Sequence, residues 1–227
     1  MAGYGQFCPV AVAAEVFTER WTPLIVRDLL DGPARFNDLR RGLPLISPSL
    51  LSKRLRMLER VGVVERQTGA GGRSEYRLTE AGEELGPIVE ALGAWGQRWA
   101  RGDVRPEHLD ASLLMWDIHF RVSPEAVPAG RVVVSFHLEG STDGKSRFWL
   151  ILNDGKADLC LMDPGHEVDV AVEAHVGAMV RYWLGDTTFA DLVRTGELRL
   201  SGSRRLVRAL PSWFLRSSFA AVPRPRT

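Results

Sequence analysis

Side chains suited to binding chemistry are concentrated between Ser47 and Arg60, where hydroxyl groups are interleaved with lysine and arginine. Such side chains can bind phosphate oxygens and donate hydrogen bonds to base edges, which is the chemistry of a helix in the major groove of DNA. Ser47 suits the N-cap and Pro48 the first helical position, so the sequence predicts a helix that begins here. A solvated amphipathic surface helix would have the same composition, and the flanking residues must decide between these interpretations.

The spacing divides this helix into an apolar stripe and a cationic face. At about 100° per residue, Leu51, Leu55 and Leu58 fall on one side. The residues almost opposite to them are Ser49, Lys53, Arg56 and Arg60. Ser52 lies at the edge of the polar face, whereas Arg54 lies beside the apolar stripe, where its aliphatic stem can pack against neighbouring helices.

Length and charge limit what the whole chain can be. Its 227 residues are enough for two ordinary domains, and the net charge of +1 means that nucleic acid would have to bind a local basic patch. Residues 35–60 supply such a patch, because seven basic residues stand against two acidic ones, a balance of +5.

Cys8 and Cys160 are too few for a disulfide framework. No leader or long apolar run is present, so we expect neither export nor membrane spanning, and a cytoplasmic protein.

The elements around the basic patch have the order of a winged helix-turn-helix domain. Helices are predicted at residues 9–17, 22–30, 36–43 and 47–60, and strands at 63–68 and 73–78. A glycine-rich tip at residues 69–72 joins the two strands, with Arg66 and Arg73 on either side. A glycine-rich loop can also bind a nucleotide phosphate, but this one lacks the lysine and the helix start that a nucleotide loop requires.

These residues resemble the HxlR-type winged-helix transcriptional regulators of bacteria. The matching segments are Cys8 to Val10, Arg20 to Ile25, Gly32 to Leu39, Ile46 to Leu55 and Tyr76 to Gly82. The resemblance implies a dimer that binds a pseudo-palindromic DNA operator, with recognition helices in successive major grooves and wings toward the backbone or minor groove. The predicted DNA-binding residues are Arg35, Ser47, Ser49, Ser52, Lys53, Arg54, Arg56, Arg60, Arg66 and Arg73.

A further apolar pattern follows Thr79, which is a candidate helix cap. The residues that recur at spacings of three and four are Ala81, Leu85, Ile88, Leu92, Trp95 and Trp99. This spacing suits packing on a partner helix, although a groove within the same chain would be satisfied equally well. Gly86-Pro87 is expected to interrupt the helix. In the resembled family this region forms the dimer interface with the first helix, so we expect a homodimer.

Cys8 is a candidate redox sensor. Some regulators of the resembled family sense oxidants or quinones through a cysteine near this position, and the positive end of the following helix would favour a reactive thiol. The alternative is a small residue packed at the start of a helix.

The remaining sequence predicts a second domain. Residues 101–106 break the helical pattern, so we expect a DNA-binding domain at 1–101, a linker at 102–109 and a second domain at 110–227. Strand and helix signals from residue 109 onward predict an α+β fold with a mostly antiparallel five-stranded sheet covered by helices. From Pro106 onward, 14 basic residues stand against 15 acidic ones, so a second DNA-binding domain is not expected here.

This second half resembles the sterol-carrier-protein type 2 family. The resemblance rests on Ala178 to Asp186 and Thr195 to Ser203, followed by a helix and the aromatic pair Trp213 and Phe214. It implies helices over one face of a five-stranded sheet, with an apolar tunnel for lipids or acyl chains. The candidate lining residues are Trp116, Phe136, Trp149, Met179, Trp183, Phe189 and Phe214. Each of them is alternatively an ordinary core residue.

Catalysis finds little support in the sequence. His166 stands among Asp163, Glu167 and Asp169, but this segment has the composition of a turn, and the other histidines are scattered. We predict no enzymatic activity, no cofactor and no metal. The sequence therefore predicts a dimeric DNA-binding regulator, a repressor, whose second domain binds an apolar small molecule or lipid that changes operator affinity. The alternatives are a second domain that serves as a dimerisation or protein-contact module, and a lipid carrier.

Overall fold

The structure is a computed structural model that describes residues 3–69 and 72–224. Ala70 and Gly71, in the predicted tip between the two wing strands, lie outside the described residues. The chain divides into two compact units, residues 1–93 and residues 94–227.

The first unit has the predicted winged-helix order. Its helices are α1 (Pro9–Phe17), α2 (Thr22–Leu30), α3 (Phe36–Gly42), α4 (Pro48–Arg60), α5 (Glu80–Glu83) and α6 (Gly86–Trp95), the last of which crosses the boundary between the units. Strands β1 (Val64–Thr68) and β2 (Ser74–Leu78) form the antiparallel wing, with Arg66 paired to Tyr76. The break between α5 and α6 lies directly before Gly86-Pro87, where the sequence predicted an interruption.

The core of the first unit is built on α2 and α4. Ile25 and Val26 from α2 and Leu51 and Leu58 from α4 have no exposed surface. Each fully buried aliphatic side chain of this kind contributes roughly 1.5–3 kcal/mol by its removal from water. The apolar stripe predicted for α4 is therefore the side that fixes this helix to the domain, which leaves its opposite side free.

The second unit begins with a π-helical turn at Gly96–Ala100 and a 3-10 turn at Pro106–His108. Its helices are α7 (Ala111–Phe120), α8 (Val176–Trp183), α9 (Phe189–Thr195) and α10 (Arg204–Trp213). Its strands are β3 (Val132–Glu139), β4 (Arg147–Asn153), β5 (Lys156–Cys160), β6 (Val170–His175) and β7 (Leu198–Gly202). The unit has the five strands and the accompanying helices that the sequence predicted from residue 109 onward, because capping residues and turns are local signals.

The five strands form one sheet in the order β5, β4, β3, β6, β7. This sheet is mixed, whereas the sequence predicted a mostly antiparallel one. Strands β3 and β6 are parallel, with Val134 opposite Val170 and Glu139 opposite His175, while the other three pairs are antiparallel. The connection at residues 161–169 crosses β4 and β3 instead of closing a hairpin. The turn residues Pro164 and Gly165 suit a hairpin and a crossover equally well, so the sequence does not distinguish the two connections.

One face of this sheet forms the core of the second unit. Alternate residues of β3, namely Val132, Val134, Phe136 and Leu138, are buried together with residues of helices α7, α8, α9 and α10. The period of two is the one expected for a strand with one covered face. The fold class is therefore α+β, as predicted.

Candidate nucleic-acid interface

The recognition helix α4 begins at a well-formed cap. Ser47 has extended backbone angles, and its Oγ accepts a hydrogen bond from the Leu50 amide at 3.3 Å. Ser49 Oγ lies 3.2 Å from Ser47 Oγ. Pro48 occupies the first turn, where its missing N–H leaves no helical hydrogen bond unmade. The helix start is therefore fixed in position by its own sequence.

The exposed side of α4 carries uncompensated positive charge. Ser49, Lys53, Arg56 and Arg60 are exposed, and Ser52 is half-buried at the edge of this face. Neither Lys53 nor Arg56 forms an ion pair with the part of the chain that the structure describes. Arg60 donates from Nε to the Arg56 carbonyl oxygen at 3.4 Å, along the helix. The structure thus brings together most of the predicted DNA-binding residues of α4 on one accessible surface.

Arg54 is placed differently from the other basic residues of α4. Its guanidinium forms an ion pair with Glu19, and its Nε donates to the Arg20 carbonyl oxygen at 3.0 Å. Only 11% of its side chain is exposed. Arg54 therefore joins the recognition helix to the turn between α1 and α2. Sequence analysis missed Glu19, because its partner is distant in the sequence.

The wing carries three exposed arginines, two of which form no ion pair with the described residues. Arg66 donates from Nε to Ser74 Oγ at 2.7 Å, across the two strands. Arg73 is exposed and has no ion pair among residues 3–69 and 72–224. A third wing arginine, Arg77, is paired with Glu65. Positive charge thus remains available at the end of the wing where β1 and β2 are joined.

Arg35 lies between the helices and the wing. Its Nε is 3.3 Å from a carboxylate oxygen of Glu75 on β2, and 42% of its side chain remains exposed. Next to it, Ala34 and Tyr76 exchange two backbone hydrogen bonds of 2.9 and 2.8 Å. The wing hairpin is therefore extended by a short third segment that precedes α3.

Close packing also fixes the chain where the wing returns to the helices. Thr79 caps α5 by accepting from the Gly82 amide at 3.2 Å, and its hydroxyl donates to the Gly62 carbonyl oxygen at 2.5 Å. A Cβ atom on Gly82 would lie 2.2 Å from the Val63 carbonyl oxygen, so no side chain fits there. This close approach of the backbone explains why position 82 is a glycine.

Two helices expose apolar side chains that the unit does not cover. None of the α1 residues is buried, and Val10 and Val12 are 75% and 54% exposed. Along α6 and the turn after it, the exposed apolar residues are Ile88, Leu92, Trp95 and Trp99. Cys8, directly before α1, is also exposed.

A cavity of about 700 Å³ lies within the second unit. Its apolar lining residues include Leu113, Leu114, Val180, Trp183 and Leu184. Its charged or titratable lining residues are Arg101, Asp103, Arg105, His108, Asp110 and Asp117. Arg101 is held by an ion pair with Asp186 and by a 3.0 Å hydrogen bond to Gln97. The lining of the cavity therefore combines apolar and charged side chains.

Of the seven predicted tunnel residues, only Trp183 lines this cavity. Four others are packed in the core, namely Phe136, Met179, Phe189 and Phe214. Trp149 and Trp116 are half-buried. On β4 the neighbouring Phe148 points into the core, so Trp149 must point to the opposite face of the sheet. The predicted residues are therefore not gathered around one tunnel.

In the part of the chain that the structure describes, no group of three or more histidine, cysteine, aspartate or glutamate residues is arranged to hold a metal ion. No helix in residues 3–69 and 72–224 combines the length and the apolar character needed to cross a membrane.

Comparison with known proteins finds a family match over most of the first unit and the start of the second. A family model described as HxlR-like helix-turn-helix matches residues 16–103. The regulator YvaP of Bacillus subtilis, an uncharacterized HTH-type transcriptional regulator, is 37% identical over 108 residues, which are 46% of this chain and 96% of that protein. The regulator Rv3095 of Mycobacterium tuberculosis, described in the same words, is 44% identical over 92 residues, 40% of this chain and 58% of that protein.

Solved structures also resemble the chain. The redox regulator HypR in its oxidized form is 36% identical and covers 43% of this chain and all of its own, with a TM-score of 0.39. The reduced form of the transcriptional regulator YodB from Bacillus subtilis is 34% identical and covers 43% of this chain and all of its own, with a TM-score of 0.38.

Proposed function

Because this chain belongs to the HxlR-like helix-turn-helix family of transcriptional regulators, we propose that it is a repressor that binds a pseudo-palindromic operator as a homodimer. Its recognition helix α4 enters the major groove, and the wing lies against the DNA backbone. The observation that carries this proposal is the α4 surface, where Lys53 and Arg56 are exposed without ion pairs opposite a fully buried apolar stripe. A helix fixed in this way presents cations to phosphates without prior rearrangement.

Different residues have different roles in this proposal. Ser49 and Ser52 contact or orient toward base edges, and Lys53 and Arg56 reach both base edges and phosphates. Arg60, Arg66 and Arg73 bind phosphate. Ser47 fixes the helix start. Arg35 and Arg54 hold the wing and the recognition helix in place through their ion pairs with Glu75 and Glu19.

The homodimer part of the proposal is supported by exposed apolar surface. Helix α1 and helix α6 each expose side chains that a monomer would leave in water, among them Val10 and Leu92. Burying such surface against a second copy is favourable by roughly 25 cal/mol for each Å² removed from water. Two-fold symmetry of the dimer would match the symmetry of the operator.

The experiment is selection of bound sequences from a random duplex pool, followed by binding measurements on the enriched sequence. We expect the variant Lys53→Ala with Arg56→Ala to bind more weakly. The slope of log affinity against log salt concentration should fall by up to about 3.6, at roughly 0.9 per phosphate contact and two contacts in each protomer of the dimer. The control variant Lys156→Ala with Arg147→Ala removes the same charges from exposed positions of the second unit. If no sequence is enriched, the proposed function is wrong. If the α4 variant binds the operator with wild-type affinity, Lys53 and Arg56 do not contact the DNA as proposed.

For the second unit we propose an effector site, supported by the cavity of about 700 Å³ beside Trp183. This volume is in the range of small-molecule sites. A ligand there regulates operator binding only if it binds the DNA-competent and incompetent states differently, with typical couplings of about 1–3 kcal/mol. The family match ends at residue 103, so the sterol-carrier resemblance stays a prediction, and a ligand-free dimerisation module or a lipid carrier stays the alternative.

Native mass spectrometry of the purified protein, followed by organic extraction, tests this site. A dimer mass with a defined small-molecule adduct, lost in the cavity-filling variant Leu113→Trp, is the expected result. A protein without an adduct, whose operator affinity is also unchanged by Leu113→Trp, would favour the module without ligand.

A further inference from the structure

Helix α10 has a cationic face that the proposed function does not use. Its residues Leu206, Leu210 and Trp213 are buried in the core of the second unit, at 7%, 0% and 0% exposure. At about 100° per residue, Arg204 and Arg208 fall on the side opposite to these anchors. Arg205 falls on the flank of this side, about 60° around the helix from Arg208. All three arginines are exposed. The buried side fixes which face of α10 meets the solvent.

No described residue compensates these charges. None of the three arginines forms an ion pair or a side-chain hydrogen bond within residues 3–69 and 72–224. The sequence from Leu198 to Thr227 contains seven basic residues and no acidic one. The near-neutral charge of the whole second half therefore conceals a strongly basic end. Arg199 on β7 is a weaker candidate, because Glu173 lies directly across from it in the sheet.

This arrangement is unfavourable for the isolated protein. Arg204 and Arg208 stand four residues apart on one helix, where like charges repel each other and destabilise the helix. An anionic partner would remove this repulsion and form charge-assisted hydrogen bonds with the guanidinium groups.

We propose that the α10 face formed by Arg204, Arg205 and Arg208 binds the phosphate backbone of the DNA duplex that the winged helix binds. This inference rests on the proposed function, because the winged helix is what brings duplex DNA to the same chain and raises its effective concentration. The contact is independent of base sequence, since phosphates are the same along any duplex.

Two observations favour DNA over an anionic membrane. A helix that binds membranes inserts its apolar side, but the apolar side of α10 is buried in the core. The exposed residues between and beside the arginines, Pro211 and Ser212, add no large apolar side chain. Three arginines on a rigid helix therefore suit a polyanion that stays in water.

The test compares the full chain with the variant Arg204→Gln, Arg205→Gln, Arg208→Gln on a 40-base-pair random-sequence duplex and on the selected operator placed in a duplex of the same length. We expect weaker binding to both duplexes and an unchanged ratio between the two affinities. The slope of log affinity against log salt concentration should fall by up to about 5.4, at roughly 0.9 per phosphate contact and three contacts in each protomer of the dimer. The matched control is Arg131→Gln, Arg147→Gln, Lys156→Gln, which removes three exposed charges elsewhere in the second unit. Thermal unfolding of the α10 variant should be unchanged or shifted upward, because a repulsion is removed.

An α10 variant with the wild-type salt slope on both duplexes would overturn the inference. So would binding of the wild type to vesicles containing phosphatidylserine that the α10 substitutions abolish while DNA binding stays intact. Failure of the proposed function has a different signature, namely no enriched sequence and no effect of Lys53→Ala with Arg56→Ala. The two ideas can therefore fail separately.

Discussion

The guanidinium of Arg54 forms an ion pair with Glu19, so a basic residue of the recognition helix is used inside the protein. The same arginine donates to the Arg20 carbonyl oxygen, and both contacts reach the turn that joins α1 to α2. Helix α1 exposes apolar side chains along its length and is proposed to lie in the dimer interface. The ion pair therefore connects the end of this helix with the proposed DNA-reading helix. Charge alone does not reveal which arginines are available to a ligand.

Replacing the partners of this pair should show measurable coupling. We expect a double-mutant cycle of Arg54→Ala and Glu19→Gln to give about 1 kcal/mol in the free energy of unfolding, because the two side chains are only 11% and 27% exposed. The comparison pair is Arg77 with Glu65, which is 51% and 44% exposed and should couple more weakly. If urea unfolding gives equal coupling energies for the two ion pairs, the burial of Arg54 and Glu19 does not strengthen their interaction.

Asp143 should make the stability of the second unit depend on acid pH. Partial burial raises the pKa of its carboxyl group, but hydrogen bonds from Ser112, Ser141 and the Lys145 amide outweigh burial and hold it below the usual value. A carboxyl group whose pKa is lowered by folding stabilises the folded state above its unfolded pKa, near 4, and loses this effect as the pH falls through the folded pKa.

The variant Asp143→Asn should therefore be less stable than the wild type at pH 7, and the difference should shrink below about pH 4. Chemical unfolding across this range measures it, with Asp158→Asn as the exposed control. A difference that stays constant from pH 7 to pH 3 would show that the charge of Asp143 is not responsible.

A charged residue in the apolar surface of α6 should weaken the dimer. Leu92 is 48% exposed, so Leu92→Glu should be tolerated by the monomer fold while introducing an unpaired charge into the proposed interface. Analytical ultracentrifugation at micromolar concentration should show a dimer for the wild type and a shift toward monomer for the variant. Met162→Glu, at an 81% exposed position away from α1 and α6 in the sequence, is the control and should remain dimeric. A monomeric wild type would contradict the dimer proposal.

The two cysteines should differ in reactivity. Cys8 is exposed, whereas burial and the nearby Asp158 raise the pKa of the half-buried Cys160 thiol, which lowers its thiolate fraction. If Cys8 is a redox sensor, peroxide or quinone treatment should change the operator affinity of the wild type and of Cys160→Ser, but not that of Cys8→Ser. Unchanged wild-type affinity after treatment would dismiss the sensor hypothesis.

Local signals in the sequence were sufficient for the elements and for the exposed basic side of α4. The pairs Ser47-Pro48 and Thr22-Pro23 mark helix starts within a few residues, and the period of α4 separates its buried and exposed sides. The same reasoning does not identify partners that are distant in the sequence. Arg35 with Glu75 and Arg54 with Glu19 are held by tertiary contacts, and nothing in the neighbourhood of either arginine indicates them.

The second unit shows two other limits of sequence reasoning. The connection that makes β6 parallel to β3 depends on which strands pair across the sheet, and turn composition at Pro164 does not specify this. Aromatic residues such as Phe136 and Phe214 were expected around a tunnel, but they pack on each other with ring centroids 5.8 Å apart. An apolar side chain has the same sequence signal in a filled core and in a cavity wall.

The two hydrogen bonds between Ala34 and Tyr76 join the wing to the segment that leads into the helix-turn-helix. A wing attached only through its own two strands can swing outward, but a third hydrogen-bonded segment restrains that hinge. In the proposed complex the wing is then less free to follow a wider or narrower groove. More of the adjustment falls on the duplex, and because the energy of deformation depends on base sequence, flexible base steps beside the operator would affect affinity without being touched.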